Sequence, residues 1–218
     1  LEVHRAELSL DLLAALKSRA EAVSQRGELQ RALSLLDLGI PLAEALARPL
    51  AKALLWRGRA NVLQRHERLE AALRASQKDA ALCEEHGTPF DVALARTIQV
   101  YILGALGRFE QAIDVARWIR PHYDAANFTR GQAHLAMNLA QVYTMTWQLR
   151  DALREYDLAL VHYRELGRPL SIARVRHNKG VTFELLGDLE RAHACYAREP
   201  SKQTLAEKDR VDNGRYVE

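Results

Sequence analysis

Histidine and cysteine are the residue types here that could carry chemistry. "EEHGTPF" (84–90) holds His86 next to Gly87, with Cys83 and Cys195 as thiols that could partner it. A histidine within reach of a thiol can take its proton and leave a nucleophilic thiolate. His134 and His177 could approach each other, but two imidazoles without a carboxylate or thiolate make a poor metal site. The eight His residues show no HxxxH spacing, and the two Cys form no CxxC. No glycine-rich phosphate loop and no nucleophile elbow occur. "LWRGR" (55–59) could touch phosphate, yet no aromatics interleave with the basic residues as single-stranded nucleic acid would require. The expectation is a chain that is not an enzyme, takes no cofactor or metal, and has no nucleic-acid partner.

What must position these residues is a helical framework. In 218 residues, 48% are hydrophobic and 27% charged, aromatics are only 6%, and Pro totals six. Leu, Ala, Arg, Glu and Gln are strong helix formers, so the composition is that of an all-α protein. The net charge of +3 is spread as interspersed basic and acidic residues, the pattern of a solvated helical surface. No apolar run of membrane-spanning length appears, and no signal peptide, so no membrane partner is expected. Cys83 and Cys195 fall at different phases of the repeat described next, so reduced thiols in the cytoplasm are expected rather than a disulfide. The chain begins at Leu1 without Met, the expected mark of a fragment of a larger protein.

The framework is periodic. Ala recurs at 32, 72, 112, 152 and 192, a spacing of 40 each time. Three residues earlier stand Leu29, Leu69, Phe109, Leu149 and Leu189; twelve earlier stand Ala20, Ala60, Val100, Ala140 and Gly180. Nine earlier come Val23, Leu63, Leu103, Tyr143 and Phe183. Small residues on two antiparallel helices allow the closest backbone approach, and large apolar neighbours fill the space around it. The Gly of "LGRFEQAIDVA" (106–116) lies where a left-handed residue ends a first helix at low cost. Turns are therefore predicted near 27, 67, 107, 147 and 187, and links near 48, 88, 128 and 168. At the links, "HGTPF" (86–90) and "LGRPL" (166–170) place Gly as a stop and Pro as a start, and Asn127 takes the Gly phase in repeat three.

These residues resemble the tetratricopeptide repeat (TPR), most fully in "NLAQVYTMTWQLRDALREYDLAL" (138–160), with Ala140, Tyr143, Ala152, Tyr156 and Ala159 in the family's places. The 40-residue length is that of a longer subclass, found in kinesin light chains, spindle-orientation scaffolds and bacterial multidomain regulators. Departures are Trp147 and Glu67 at the turn Gly, and Ser76 and Ala116 where an aromatic is common. The resemblance implies a right-handed α-α superhelix, a solenoid of about five helix-turn-helix repeats. The repeats are expected at about 9–48, 49–88, 89–128, 129–168 and 169–199, within an array at 1–199. Residues 200–218, behind Pro200, are expected to be a capping helix or tail. Pro41 and Pro121 share a phase, and a kink, break or helix end is expected near 40 and 120.

The resemblance also implies a function: a non-catalytic scaffold that binds a protein or peptide in the concave groove lined by first helices. The groove residues expected by phase are Arg57, Asn61, Tyr101, His134, Asn138, Gln141, Arg174, His177 and Asn178, with Lys17, Glu21, Gln64, Thr97, Met137 and Thr144 beside them. Amides suit an extended peptide backbone, and the arginines suit an acidic peptide or a free C-terminus. The clamp for a terminal carboxylate that some such repeats carry is incomplete here, since Ile98, Thr97 and Tyr101 stand where it needs Asn or basic residues. The competing reading is a regulatory or sensor arm packed on a domain of its own chain. CHAT-type peptidases and transcription regulators carry such arrays, and His86-Gly87 resembles a pair in caspase-like peptidases. His86, however, is in phase with Leu166 at a helix end, which makes it a helix terminus rather than a catalytic base.

Overall fold

The computed structural model describes residues 2–197, with side chains from residue 10 onward. Among the described residues the chain forms ten α-helices and no strand. They are α1 (Glu2–Gln25), α2 (Leu29–Ala45), α3 (Pro49–Arg65), α4 (Leu69–His86), α5 (Pro89–Ala105), α6 (Phe109–Ala125), α7 (Thr129–Met145), α8 (Leu149–Glu165), α9 (Pro169–Leu185) and α10 (Leu189–Tyr196). The five second helices begin at Leu29, Leu69, Phe109, Leu149 and Leu189, one set of apolar residues in strict 40-residue phase. Residues 200–218, where a cap or tail is expected, lie outside the described residues.

The helices divide into two compact units, Leu1–Ala126 and Asn127–Glu218. In the first, each of α1 to α6 packs on the next, and alternate first helices α1, α3 and α5 also touch. In the second, α7 to α10 repeat that arrangement, with α7 also touching α9. The small residues carry the closest approaches: Ala32, Ala72, Ala112 and Ala152 have no exposed surface, and Ala192 is buried. Ala20, Ala60, Val100 and Ala140 are equally inaccessible. At the fifth copy of that phase, a Cβ on Gly180 would collide with the ring of Tyr196. The space a methyl fills in other repeats is filled here by an aromatic side chain from the partner helix.

Helix ends follow local chemistry. Pro49, Pro89 and Pro169 occupy first-turn positions, where a missing N–H costs nothing. Most turns close with a residue at positive φ, including Gly107 at 75° and Gly187 at 77°. The following N–H then reaches back to the last helical turn, as Arg108 N does to Leu103 O at 2.8 Å. Glu67 and Trp147 hold the same left-handed geometry at φ 58° and 59° despite their side chains. The tertiary frame overrides the local penalty there.

Two expectations are corrected. Gly87 is extended, at φ −112° and ψ −165°, and not left-handed like Asn127 and Gly167 at the equivalent links. The reason is Thr88, whose hydroxyl and backbone N–H exchange hydrogen bonds with Asp91 in a capping box that starts α5 directly. Second, neither Pro41 nor Pro121 breaks or ends its helix: α2 runs on to Ala45 and α6 to Ala125. Both rings are exposed and lie within about a turn of the helix end, so the carbonyl each leaves without an intrahelical donor can turn to water.

Candidate functional site

In the first unit, the expected groove residues are half-buried, and several are tied to neighbouring helices. Lys17 Nζ lies 3.0 Å from Glu21 Oε2, and Asn61 Nδ2 donates to Glu21 Oε1 at 2.9 Å. This links the faces of α1 and α3 through one carboxylate. Arg57 makes a two-point ion pair with Asp79 of α4, Nε to Oδ2 at 2.8 Å and Nη2 to Oδ1 at 3.2 Å. Asp79 has no exposed side-chain surface, whereas Arg57 keeps 22%. Burial pushes the Asp79 carboxyl above its ordinary range, against the pull of Arg57. Thr97 shares a short hydroxyl–hydroxyl contact with Tyr123 and donates to Ala93 O at 2.8 Å. Tyr101, on the same helix α5, is half-buried.

Cys83 completes the Arg57 cluster, with Sγ 3.6 Å from Asp79 Oδ1 and 3.8 Å from Arg57 Nη2. Burial, then the Asp79 charge, push its thiol up to about 12. A thiol held there is protonated at neutral pH and inert as a nucleophile. His86 sits at the end of α4, its Nε2 3.4 Å from Glu85 Oε1. The reactivity prediction is direct: in a Cys195→Ala variant at pH 8, iodoacetamide should label Cys83 only after denaturation. Rapid labelling of the native chain would refute it. Both cysteines are free thiols.

In the second unit, the two expected groove histidines, His134 and His177, each pair with a tyrosine. His134 Nδ1 and Tyr163 Oη lie 3.1 Å apart, with rings edge-to-face at 5.7 Å and 89°. His177 stacks at a tilt on Tyr196, centroids 5.6 Å apart. Among the described residues no group of three or more His, Cys, Asp and Glu is placed to hold a metal ion. Thr144 and Thr182 hydroxyls meet at 3.1 Å, and burial pushes the Tyr156 phenol above its ordinary range. Asn138, Gln141 and Asn178 are half-buried, and Arg174 and His177 are exposed. Met137 departs from expectation: it is only 5% exposed and packs in the core with Ala133, Ala140 and Tyr156.

What the sequence reading missed is the second-helix partner of each first-helix polar residue. Arg57 to Cys83 and Thr97 to Tyr123 are both separated by 26 residues, so Cys83, Tyr123 and Tyr163 share a phase, eleven after the repeat Ala. Inter-repeat ion pairs keep register too: Arg59 with Asp37 and Lys179 with Asp157 both span 22 residues.

No family model matches the chain, and no curated protein matches it. Solved structures do. BtubC (BKLC) from P. vanneervenii superposes with a TM-score of 0.74 at 19% identity, over 99% of this chain and 86% of that one. The nearly identical TPR-like repeats of a Podosopora anserina kinesin light chain give 0.63 at 14% identity, over 87% and 97%. The MamA RS-1 ArsTM double mutant gives 0.54 at 15% identity, over 94% and 98%. No helix among the described residues is long and apolar enough to cross a membrane. The chain has the all-α helix-turn-helix fold of the TPR-like solenoid proteins.

Proposed function

We propose that the chain is a non-catalytic, cytoplasmic protein-interaction scaffold that binds a peptide segment of a protein partner on the faces of its first helices. The observation that carries this reading is the half-buried amide set of the second unit, Asn138, Gln141 and Asn178, beside the exposed Arg174 and His177. Amides in that setting offer donors and acceptors to an extended backbone, and a cation favours an acidic side chain or free carboxylate on the ligand. The TPR-like fold supports a protein partner. In the first unit Asn61 and Tyr101 offer a comparable, smaller surface. Arg57 holds Asp79, so its guanidinium meets a ligand only through the edge that stays open.

The test is capture of the natural partner on immobilised chain. Asn138→Ala with Gln141→Ala should weaken capture about tenfold or more, through loss of hydrogen bonds to the ligand backbone. Arg154→Ala, on the exposed face of α8 where its side chain is 79% accessible, should leave it intact. Capture lost through Arg154→Ala and untouched by the amide changes would refute the reading.

A further inference from the structure

One edge of the second unit presents apolar side chains to solvent. Helix α7 ends at Met145 and α9 at Leu185, and the Thr144 and Thr182 hydroxyls meet at 3.1 Å, so the turns that follow lie side by side. Met145, Trp147, Leu185, Leu186 and Leu189 are all exposed there, Trp147 by 67% and Leu189 by 69%. At the phase of Met145 and Leu185, the first three repeats have Gln25, Arg65 and Ala105. Single exposed apolar residues need no explanation, but several gathered on one edge mark an interaction surface.

Trp147 carries a second observation. It holds φ 59° at the turn position that Gly27, Gly107 and Gly187 occupy in other repeats. A bulky side chain is disfavoured in that region, and burial within the chain does not offset the strain. Glycine would form this turn with less strain, so the indole serves a contact beyond the turn itself.

The charges around the edge select its occupant. Asp151 pairs with Arg154, and Asp188 with Arg191. That leaves Arg150 exposed beside the first turn, and Glu184 and Glu190 exposed about the second, none of the three in an ion pair among the described residues. One end of the edge is therefore positive and the other negative. A two-fold axis sets the positive end of such an edge against the negative end of a copy, with the apolar side chains between them. An anionic membrane would instead meet the two glutamates with like charge.

We propose that this edge docks a second copy of the chain, as a two-fold pair in which each Trp147 turn faces the α9–α10 turn of the other copy. The indole is the anchor, covered by the leucines of the opposite turn, and Arg150 faces Glu184 and Glu190 across the axis. The proposal is independent of the reading of the first-helix faces.

Sedimentation velocity of the whole chain over a concentration series tests it. The mass should rise towards twice that of one chain. Trp147→Gly should weaken association about tenfold or more, as truncation of an aromatic anchor does. In the dilute limit the melting temperature of that variant should hold or rise, because glycine suits the positive φ. Arg150→Glu should also weaken association, and adding Glu184→Arg should restore it, since opposite charges again face each other. A one-chain mass at every concentration overturns the proposal, and so does association that survives Trp147→Gly. A marked fall in the dilute melting temperature of Trp147→Gly overturns it as well, because the indole would then be packed against its own chain. A chain that stays single yet co-sediments with phosphatidylcholine vesicles, and loses that in Trp147→Gly, would assign the edge to a lipid surface instead.

Discussion

Ala152→Arg should abolish or severely reduce the stability of the second unit. Ala152 has no exposed surface and packs among Ala133, Ala140, Tyr156 and Ala159, where two helices approach through small side chains. An arginine there must open the helix pair or bury a guanidinium without a partner. Overpacking of a tight core costs about 1–3 kcal/mol, and an uncompensated buried charge about 3–5 kcal/mol more. A unit of this size loses roughly 4–8 °C of melting temperature per kcal/mol, so the transition should fall by tens of degrees or vanish. Arg154→Ala, two residues on and exposed, should move it by no more than about 0.5 kcal/mol equivalent. Calorimetry of the two variants checks this. An unchanged transition for Ala152→Arg would mean that the 40-residue frame is wrong.

Arg57→Ala should cost about 3–5 kcal/mol, because it leaves the fully buried Asp79 carboxylate without its two-point partner. Urea denaturation measures it. The repeat supplies a sharper version of the test. Where repeat two has Arg57, Asp79 and Cys83, repeat three has Thr97, Ile119 and Tyr123 at the same phases. In repeat three the Thr97 and Tyr123 hydroxyls meet, and Ile119 is fully buried. Carrying those residues back as Arg57→Thr, Asp79→Ile and Cys83→Tyr should return stability to within about 2 kcal/mol of the parent, because replacing a buried ion pair with well-packed apolar groups is often neutral or stabilising. A triple variant as unstable as Arg57→Ala would show that the two repeats do not solve the same packing problem. The result also governs how Arg57 is used as a binding probe, since its removal acts on the fold as well as on any ligand.

The framework was legible because it depends on small and large side chains at fixed spacing, which one sequence displays five times over. Ala32, Ala72, Ala112, Ala152 and Ala192 all lie in the core, and the five second helices start in phase. What was not legible depended on local or paired chemistry. The extended Gly87 follows from Thr88 and Asp91, a capping box competing with a left-handed stop. The helices continue through Pro41 and Pro121 because exposed rings near a helix end lose little. Met137 fits the groove phase but is apolar and flexible enough to turn into the core. The polar first-helix residues were found by phase, yet their partners were not. Asp79 stands where other repeats have Gly39, Ile119 and Ala159, so no periodic signal marks it as the mate of Arg57. Tyr123 and Tyr163 did carry a signal, an aromatic eleven residues after the repeat Ala, which pairs with a first-helix polar group in each case.

The central functional claim, that partners bind on the first-helix faces, is tested most directly by photo-crosslinking. A photoreactive residue replaces Gln141 on α7 in one variant and Arg154 on α8 in another, and each is irradiated with the natural partner bound. The account predicts a covalent adduct from position 141 and none from position 154. An adduct from position 154 alone would contradict it and place the partner on the second helices.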